Sequence, residues 1–66
     1  MKSTDVRRIL EDNGFVCDHI SGSHHIMKKD LVTVVVPIHK KRPNMPIGTL
    51  KAIEKQSGIN IRNNLK

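Results

Sequence analysis

Four histidines are the side chains of this 66-residue chain best suited to proton transfer: His19, His24, His25 and His39. Imidazole is the side chain whose ordinary pKa lies closest to neutral pH, so it can accept and donate a proton there. No pair of carboxylates and no cysteine–histidine spacing in the sequence competes with them. We therefore expect any catalysis to depend on a histidine.

Among these, His24 is the strongest candidate because it directly follows Gly22 and Ser23 at the start of a predicted strand. A glycine at such a turn lets a backbone or a substrate approach closely. His25 is the next residue and must point to the opposite face of a strand. A lone strand histidine is more often a solvated polar residue, so composition alone leaves both interpretations of His24 open.

The other two histidines carry weaker signals. His19 is best interpreted as a surface residue of a strand, whereas His39 lies in a basic loop. There it could contact phosphate, orient another group or have no role. The sequence contains no Cys-x₂-Cys or His-x₃-His pattern, so we expect no metal site and no cofactor.

The positive charge is concentrated in the second part of the chain. Twelve Lys or Arg residues against six Asp or Glu give a net charge of +6. Residues 1–36 hold five basic and five acidic residues, while residues 37–66 hold seven basic residues and only Glu54. Such an excess on a small body favours a polyanionic partner, above all nucleic acid. Without Trp or Tyr to stack on bases, we expect recognition of backbone and shape.

Lys40, Lys41 and Arg42 form a basic cluster just before a second predicted helix, where free amides already favour anions. A short basic run is usually only a solvated loop. Lys51 and further basic residues follow with almost no acidic residue between them, so we favour a phosphate-facing surface.

The length permits one small domain over residues 1–66, and a core of this size rarely supplies more than about 3–5 kcal/mol. Cys17 is the single cysteine and cannot form an internal disulfide. A partner protein is therefore plausible from the outset. No segment approaches the roughly twenty apolar residues of a spanning helix, so we expect no membrane association and a cytoplasmic location.

Hydrophobic periodicity predicts the elements that must position these residues. Val6, Ile9 and Leu10 predict a helix over 4–13, capped by Ser3 or Thr4 and ended by Asn13-Gly14. Strand-forming runs predict an antiparallel meander, and the nearly unbroken apolar third run favours a central position for that strand. The strands are expected at 15–20, 24–29 and 31–36, a second helix from Pro46 or Gly48 to Ser57, and a polar tail at 60–66.

This order, α-β-β-β-α, predicts an α+β two-layer domain with two helices on one face of a three-stranded antiparallel sheet. Double-stranded-RNA-binding domains use the same order. Because fold order alone is an analogy, the residues must carry the functional argument. We also expect folding to bring His24 beside both the basic loop and the second helix.

Four motifs in order resemble those of the HicA family of bacterial toxins, over about residues 4–59. They read ILEDNGF at 9–15, GSHHI at 22–26, VPIH at 36–39, and GTLKAI at 48–53 closing at Gly58-Ile59. Many members carry lysines just before the Gly-Thr-Leu motif, where this chain has Asn-Met-Pro-Ile. Lys40 to Arg42 are expected to take their place.

The resemblance implies a dsRBD-like ribonuclease that cleaves mRNA and is held inactive by a HicB antitoxin. It implies that His24 is the catalytic histidine, acting without a metal while nearby lysines stabilise the phosphate. Two alternatives remain: a non-catalytic RNA-binding module, and an interaction subunit that docks an acidic protein. The residues expected to bind RNA are Gly22, Ser23, Lys28, His39, Lys40, Lys41, Arg42 and Lys51.

Overall fold

The computed structural model describes residues 1–64 and consists of two helices packed on one face of a three-stranded antiparallel sheet. This confirms the predicted α-β-β-β-α order and the two-layer α+β fold. The sheet order is β1-β2-β3. The elements are α1 (Ser3–Asp12), β1 (Val16–Ser21), β2 (His24–Lys29), β3 (Val32–Pro37), α2 (Ile47–Ser57) and a 3₁₀ turn, η1 (Ile61–Asn64).

A single apolar core lies between the helices and the sheet. Alternate strand residues face the helices: Met27 of β2, and Val34 and Val36 of β3, are all fully buried. This is the period-2 pattern of a sheet with one covered face. The helices contribute apolar residues at helical spacing, and η1 adds one more. The other buried core residues are Val6, Ile9, Leu10, Phe15, Met45, Leu50, Ile53 and Ile61.

The start of α1 is fixed by backbone contacts with the chain segment 38–46. Lys2 occupies the N-cap position, and no side chain caps the helix, so the prediction of a Ser3 or Thr4 cap is wrong. Instead the Ser3 amide donates to the Pro43 carbonyl at 2.8 Å, and the Met45 amide donates to the Met1 carbonyl at 2.8 Å. These long-range bonds replace a local cap and hold the segment 38–46 against the helix.

The third strand lies at an edge of the sheet, so the expected central position is wrong. Two-residue turns join β2 to both neighbours, and such tight hairpins force consecutive strands to pair. Only one face of β3 is covered: Val34 is fully buried, whereas Val32 and Val35 are each 39% exposed. The apolar run therefore reflects strand propensity on both faces rather than burial of both.

The chain turns out of α2 at Gly58, whose φ of 72° lies in the left-handed region that favours glycine. Beyond it, Ile61 is fully buried in the core. Arg62 bonds Glu54 at 3.1 Å. Part of the segment 60–66 is thus packed on the domain, while Leu65 and Lys66 lie outside the described residues.

Truncating the core should unfold much of this small domain. Leu10→Ala removes a fully buried side chain, and such changes cost about 2–5 kcal/mol. Leu31→Ala is the matched control, because Leu31 is fully exposed in the β2–β3 turn and should change the free energy of unfolding by less than about 0.5 kcal/mol. Urea denaturation followed by circular dichroism measures both. Equal effects of the two substitutions would contradict this assignment of the core.

Candidate functional site

His24 is the first residue of β2 and is exposed. It pairs across the sheet with Pro37, the last residue of β3. One step further, the Ile38 amide donates to the Ser23 carbonyl at 2.8 Å. This pairing places His24 beside the point where β3 continues into the segment 38–46, which we call the basic loop.

The turn before His24 depends on Gly22, whose φ is 59°. A Cβ at this position would meet no atom within 4 Å, so the requirement for glycine is the backbone conformation alone. The turn leaves open space around the backbone next to Ser23. The sequence motif Gly-Ser-His therefore presents the imidazole at the mouth of a hairpin, as predicted from its position.

His24 and His25 point to opposite faces of the sheet. The Arg7 guanidinium of α1 donates to His25 Nδ1 at 2.8 Å, so His25 faces the helices. Burial, and then the nearby charge of Arg7, lowers the pKa of His25 below its ordinary value. Strand alternation then places the His24 ring on the face away from the helices.

This alternation divides the expected site. His24 does lie beside the entrance of the basic loop, but α2 covers the other face of the sheet, through Leu50 and Ile53. The expectation that His24 would also lie beside the second helix is therefore wrong. Lys51 is exposed on α2 and does not share a sheet face with His24.

The open face of the sheet carries Lys28 in line with His24. The two residues are four positions apart on β2, which corresponds to roughly 13 Å along a strand. Lys28 Nζ lies 3.6 Å from Asp18 Oδ2, and His19 Nδ1 lies 2.7 Å from the same oxygen. The His19 hydrogen bond and the Lys28 charge lower the pKa of Asp18. Lys28 is thus placed for a phosphate further along a strand rather than for one at His24.

The basic loop presents its charges at an exposed tip. The Arg42 amide donates to the His39 carbonyl at 3.1 Å, which turns the chain at Lys40 and Lys41. All four side chains are exposed. No carboxylate within residues 1–64 forms an ion pair with Lys40, Lys41 or Arg42. The tip is therefore free to attract an anion.

A cleft of about 140 Å³ lies behind this tip, where the basic loop meets the starts of both helices. Ser3 of α1 and Thr49 of α2 face each other across it, and neither residue was singled out from the sequence. Local patterns cannot show this arrangement, because the Ser3 amide bond to Pro43 spans forty residues. The cleft is lined by Ser3, Pro37, His39, Arg42, Asn44, Pro46 and Thr49.

Two further surveys cover the described residues. Within residues 1–64, no three His, Cys, Asp or Glu side chains lie close enough together to share a metal ion. None of the helices in that range is long and apolar enough to cross a membrane.

Comparison with known proteins identifies one family. A family model described as the HicA toxin of bacterial toxin-antitoxin systems matches residues 3–59. This span covers both helices and all three strands, and it includes His24, the basic loop and the cleft. A search of curated proteins gave no significant match.

The buried position of His25 predicts a pH dependence of stability. Because its folded-state pKa is lowered below the ordinary 6.5, the unfolded chain takes up a proton first as pH falls. Stability is therefore fully present above about pH 6.5 and decreases as pH falls from there toward the folded-state pKa. His25→Gln, which can still accept a bond from Arg7, should abolish this decrease. Urea midpoints measured from pH 8 to pH 5 test it, and parallel pH profiles for both proteins would contradict it.

Proposed function

The chain belongs to the HicA family of bacterial toxins, and on that premise we propose that it is a metal-independent endoribonuclease that cleaves mRNA. Membership makes it the toxin component of a toxin-antitoxin system. The observation that best supports the proposed chemistry is the placement of His24, exposed at a hairpin mouth and paired with the residue that begins a basic loop.

In the proposed reaction, the nucleophile is the RNA's own 2′-hydroxyl group. Its oxygen attacks the adjacent phosphorus, the bond from phosphorus to the 5′-oxygen breaks, and a 2′,3′-cyclic phosphate and a 5′-hydroxyl remain. One proton leaves the 2′-oxygen and one reaches the 5′-oxygen. His24 performs one of these transfers and water the other. A positioned imidazole contributes roughly 10²–10⁴ in rate, which is consistent with a slow enzyme.

Cations of the basic loop are proposed to stabilise the charge that develops on the phosphate. Lys40 and Lys41 lie at its tip, with no carboxylate paired to them among residues 1–64. Positive groups fixed where charge develops are worth most when little solvent competes with them. Gly22 and Ser23 would let the RNA backbone approach closely. Lys28 and Lys51 would bind phosphates away from the cut bond, and His39 would contact phosphate from within the loop.

A HicB-like antitoxin in the cytoplasm is the proposed protein partner. Toxin-antitoxin pairing implies that a partner neutralises this chain. A partner that covers the basic loop and the open face next to His24 would exclude RNA from both at once. Six net positive charges on 66 residues favour an acidic surface on that partner.

One observation favours a second function, a non-catalytic RNA-binding module. Within residues 1–64, no side chain hydrogen-bonds the His24 ring, whereas a dedicated general base is commonly oriented by a second group. The module would bind RNA through the same charges and leave it intact. Incubation with RNA in EDTA separates the two functions, because only the nuclease yields fragments ending in 2′,3′-cyclic phosphate.

His24→Ala should abolish RNA cleavage in EDTA, lowering the rate by roughly 10²–10⁴, with RNA binding retained. His19→Ala is the matched control, since His19 is also exposed on β1 and bonds Asp18 rather than the loop. Cleavage is followed by gel electrophoresis of a labelled transcript. Cleavage that survives His24→Ala but not His19→Ala would reverse the assignment.

Expression of the chain alone should arrest bacterial growth, and co-expression of the neighbouring reading frame should restore it. The His24→Ala protein should permit growth while still binding that neighbour, because the substitution removes the chemistry and leaves the surface. Growth curves with a co-purification assay measure both. Arrest by the His24→Ala protein would show that the toxicity does not need this histidine.

A further inference from the structure

We infer that the cleft between the basic loop and the start of α2 is a second anion site, which holds a phosphate group of the RNA beside the one cut at His24. This inference rests on the proposed ribonuclease function for its ligand. The site itself follows from four observations on the residues that line the cleft.

The first observation is a set of free backbone donors. Pro46 occupies the N-cap of α2, and no side chain caps the helix. The Leu50 amide bonds the Pro46 carbonyl at 3.0 Å. The three amides before it, of Ile47, Gly48 and Thr49, have no partner among residues 1–64. Unpaired amides at the positive end of a helix dipole are donors suited to phosphate.

The second observation is a buried hydroxyl without a partner. Ser3 is only 3% exposed and is the buried polar residue of this domain within the described range. Its amide is satisfied by Pro43, but its hydroxyl makes no hydrogen bond to any residue in 1–64 while the residue lines the cleft. Buried polar groups are almost always paired. A ligand oxygen in the cleft would satisfy this hydroxyl.

The third observation is the charge of the walls. Arg42 lines the cleft and His39 lies beside it, whereas no lining residue is acidic. A guanidinium can bind two phosphate oxygens at once, which adds direction to the attraction. The polar side chains of Asn44 and Thr49 complete the lining. The chemistry of the cleft is therefore that of a site for a small dianion or a phosphodiester.

The fourth observation is the position of the cleft relative to His24. Pro37 pairs with His24 on the sheet and also lines the cleft. Directly paired residues of neighbouring strands lie about 4.5–5.5 Å apart, so a single residue separates the two places. An RNA strand that crosses the end of β3 would present one phosphate to His24 and a neighbouring one to the cleft.

A titration with inorganic phosphate, followed by ¹H–¹⁵N spectra, tests the site directly. Phosphate should shift the amide signals of Gly48 and Thr49. Arg42→Gln and Ser3→Ala should each weaken binding, by about tenfold for Arg42→Gln, which removes a charge-assisted bond. Arg8→Gln is the control for charge, since Arg8 is exposed on α1 and lies outside the cleft, and it should bind phosphate as the unchanged chain does.

The second arm uses a short RNA with 2′-O-methyl groups, which cannot be cut. This RNA should displace phosphate from the cleft, and Arg42→Gln should lower the salt dependence of its binding by about 0.7 per lost phosphate contact. Phosphate shifts that the RNA does not reverse would overturn the RNA assignment. No shift at Gly48 and Thr49, or equal binding by all three variants, would overturn the site.

These outcomes separate the cleft from the ribonuclease proposal. Cleavage that needs His24 with a silent cleft would reject the cleft and keep the enzyme. A cleft that binds phosphate in a chain that cuts no RNA would keep the anion site and reject the enzyme as its setting.

Discussion

The antiparallel pairing of β2 with β3 places His24 opposite Pro37, and the Ile38–Ser23 bond extends that pairing by one step. A shift of one residue would exchange the faces of every side chain on a strand. His24 would then turn toward the helices, and Met27 would leave the core. The buried alternation of Met27, Val34 and Val36 fixes this register. Core packing therefore decides which histidine meets the solvent.

The distribution of charge follows from which cations find partners. In the first part of the chain Arg7 lies 3.7 Å from Glu11 and Lys28 lies near Asp18. In the second part, Glu54 is occupied by Arg62, whose backbone and side-chain bonds lower the pKa of that carboxyl. The loop cations are left without a carboxylate among the described residues. A chain with local neutrality and a local excess can thus fold compactly and still offer a phosphate-binding surface.

Sequence reasoning reached the elements and missed several long-range contacts. Helical spacing of Val6, Ile9 and Leu10 predicted the buried face of α1, and Gly58 predicted the end of α2. The hydroxyls near Ser3 predicted a local cap, but bonds to Pro43 and Met45 replaced it. An apolar run does not reveal how many faces of a strand are covered, which is why β3 was expected at the centre.

The candidate site shows the same limit. Motif and turn chemistry singled out His24 and the basic loop, and period-2 alternation separated His24 from His25. The bond from Arg7 to His25 joins residues eighteen positions apart and has no local signal. The cleft depends on where the start of α1 meets the start of α2. Only the folded chain brings Ser3 and Thr49 to the same wall.

The most direct test of the central claim, that His24 and the basic loop form one RNA site, is a map of the contacts of uncut RNA. An RNA with a 2′-deoxy group at the cut position is added to the labelled protein, and shifts are followed residue by residue. The account predicts that His24, Ile38 and the residues from His39 to Arg42 respond together with one affinity. Shifts confined to the outer face of α1 or to η1, with His24 unchanged, would contradict it.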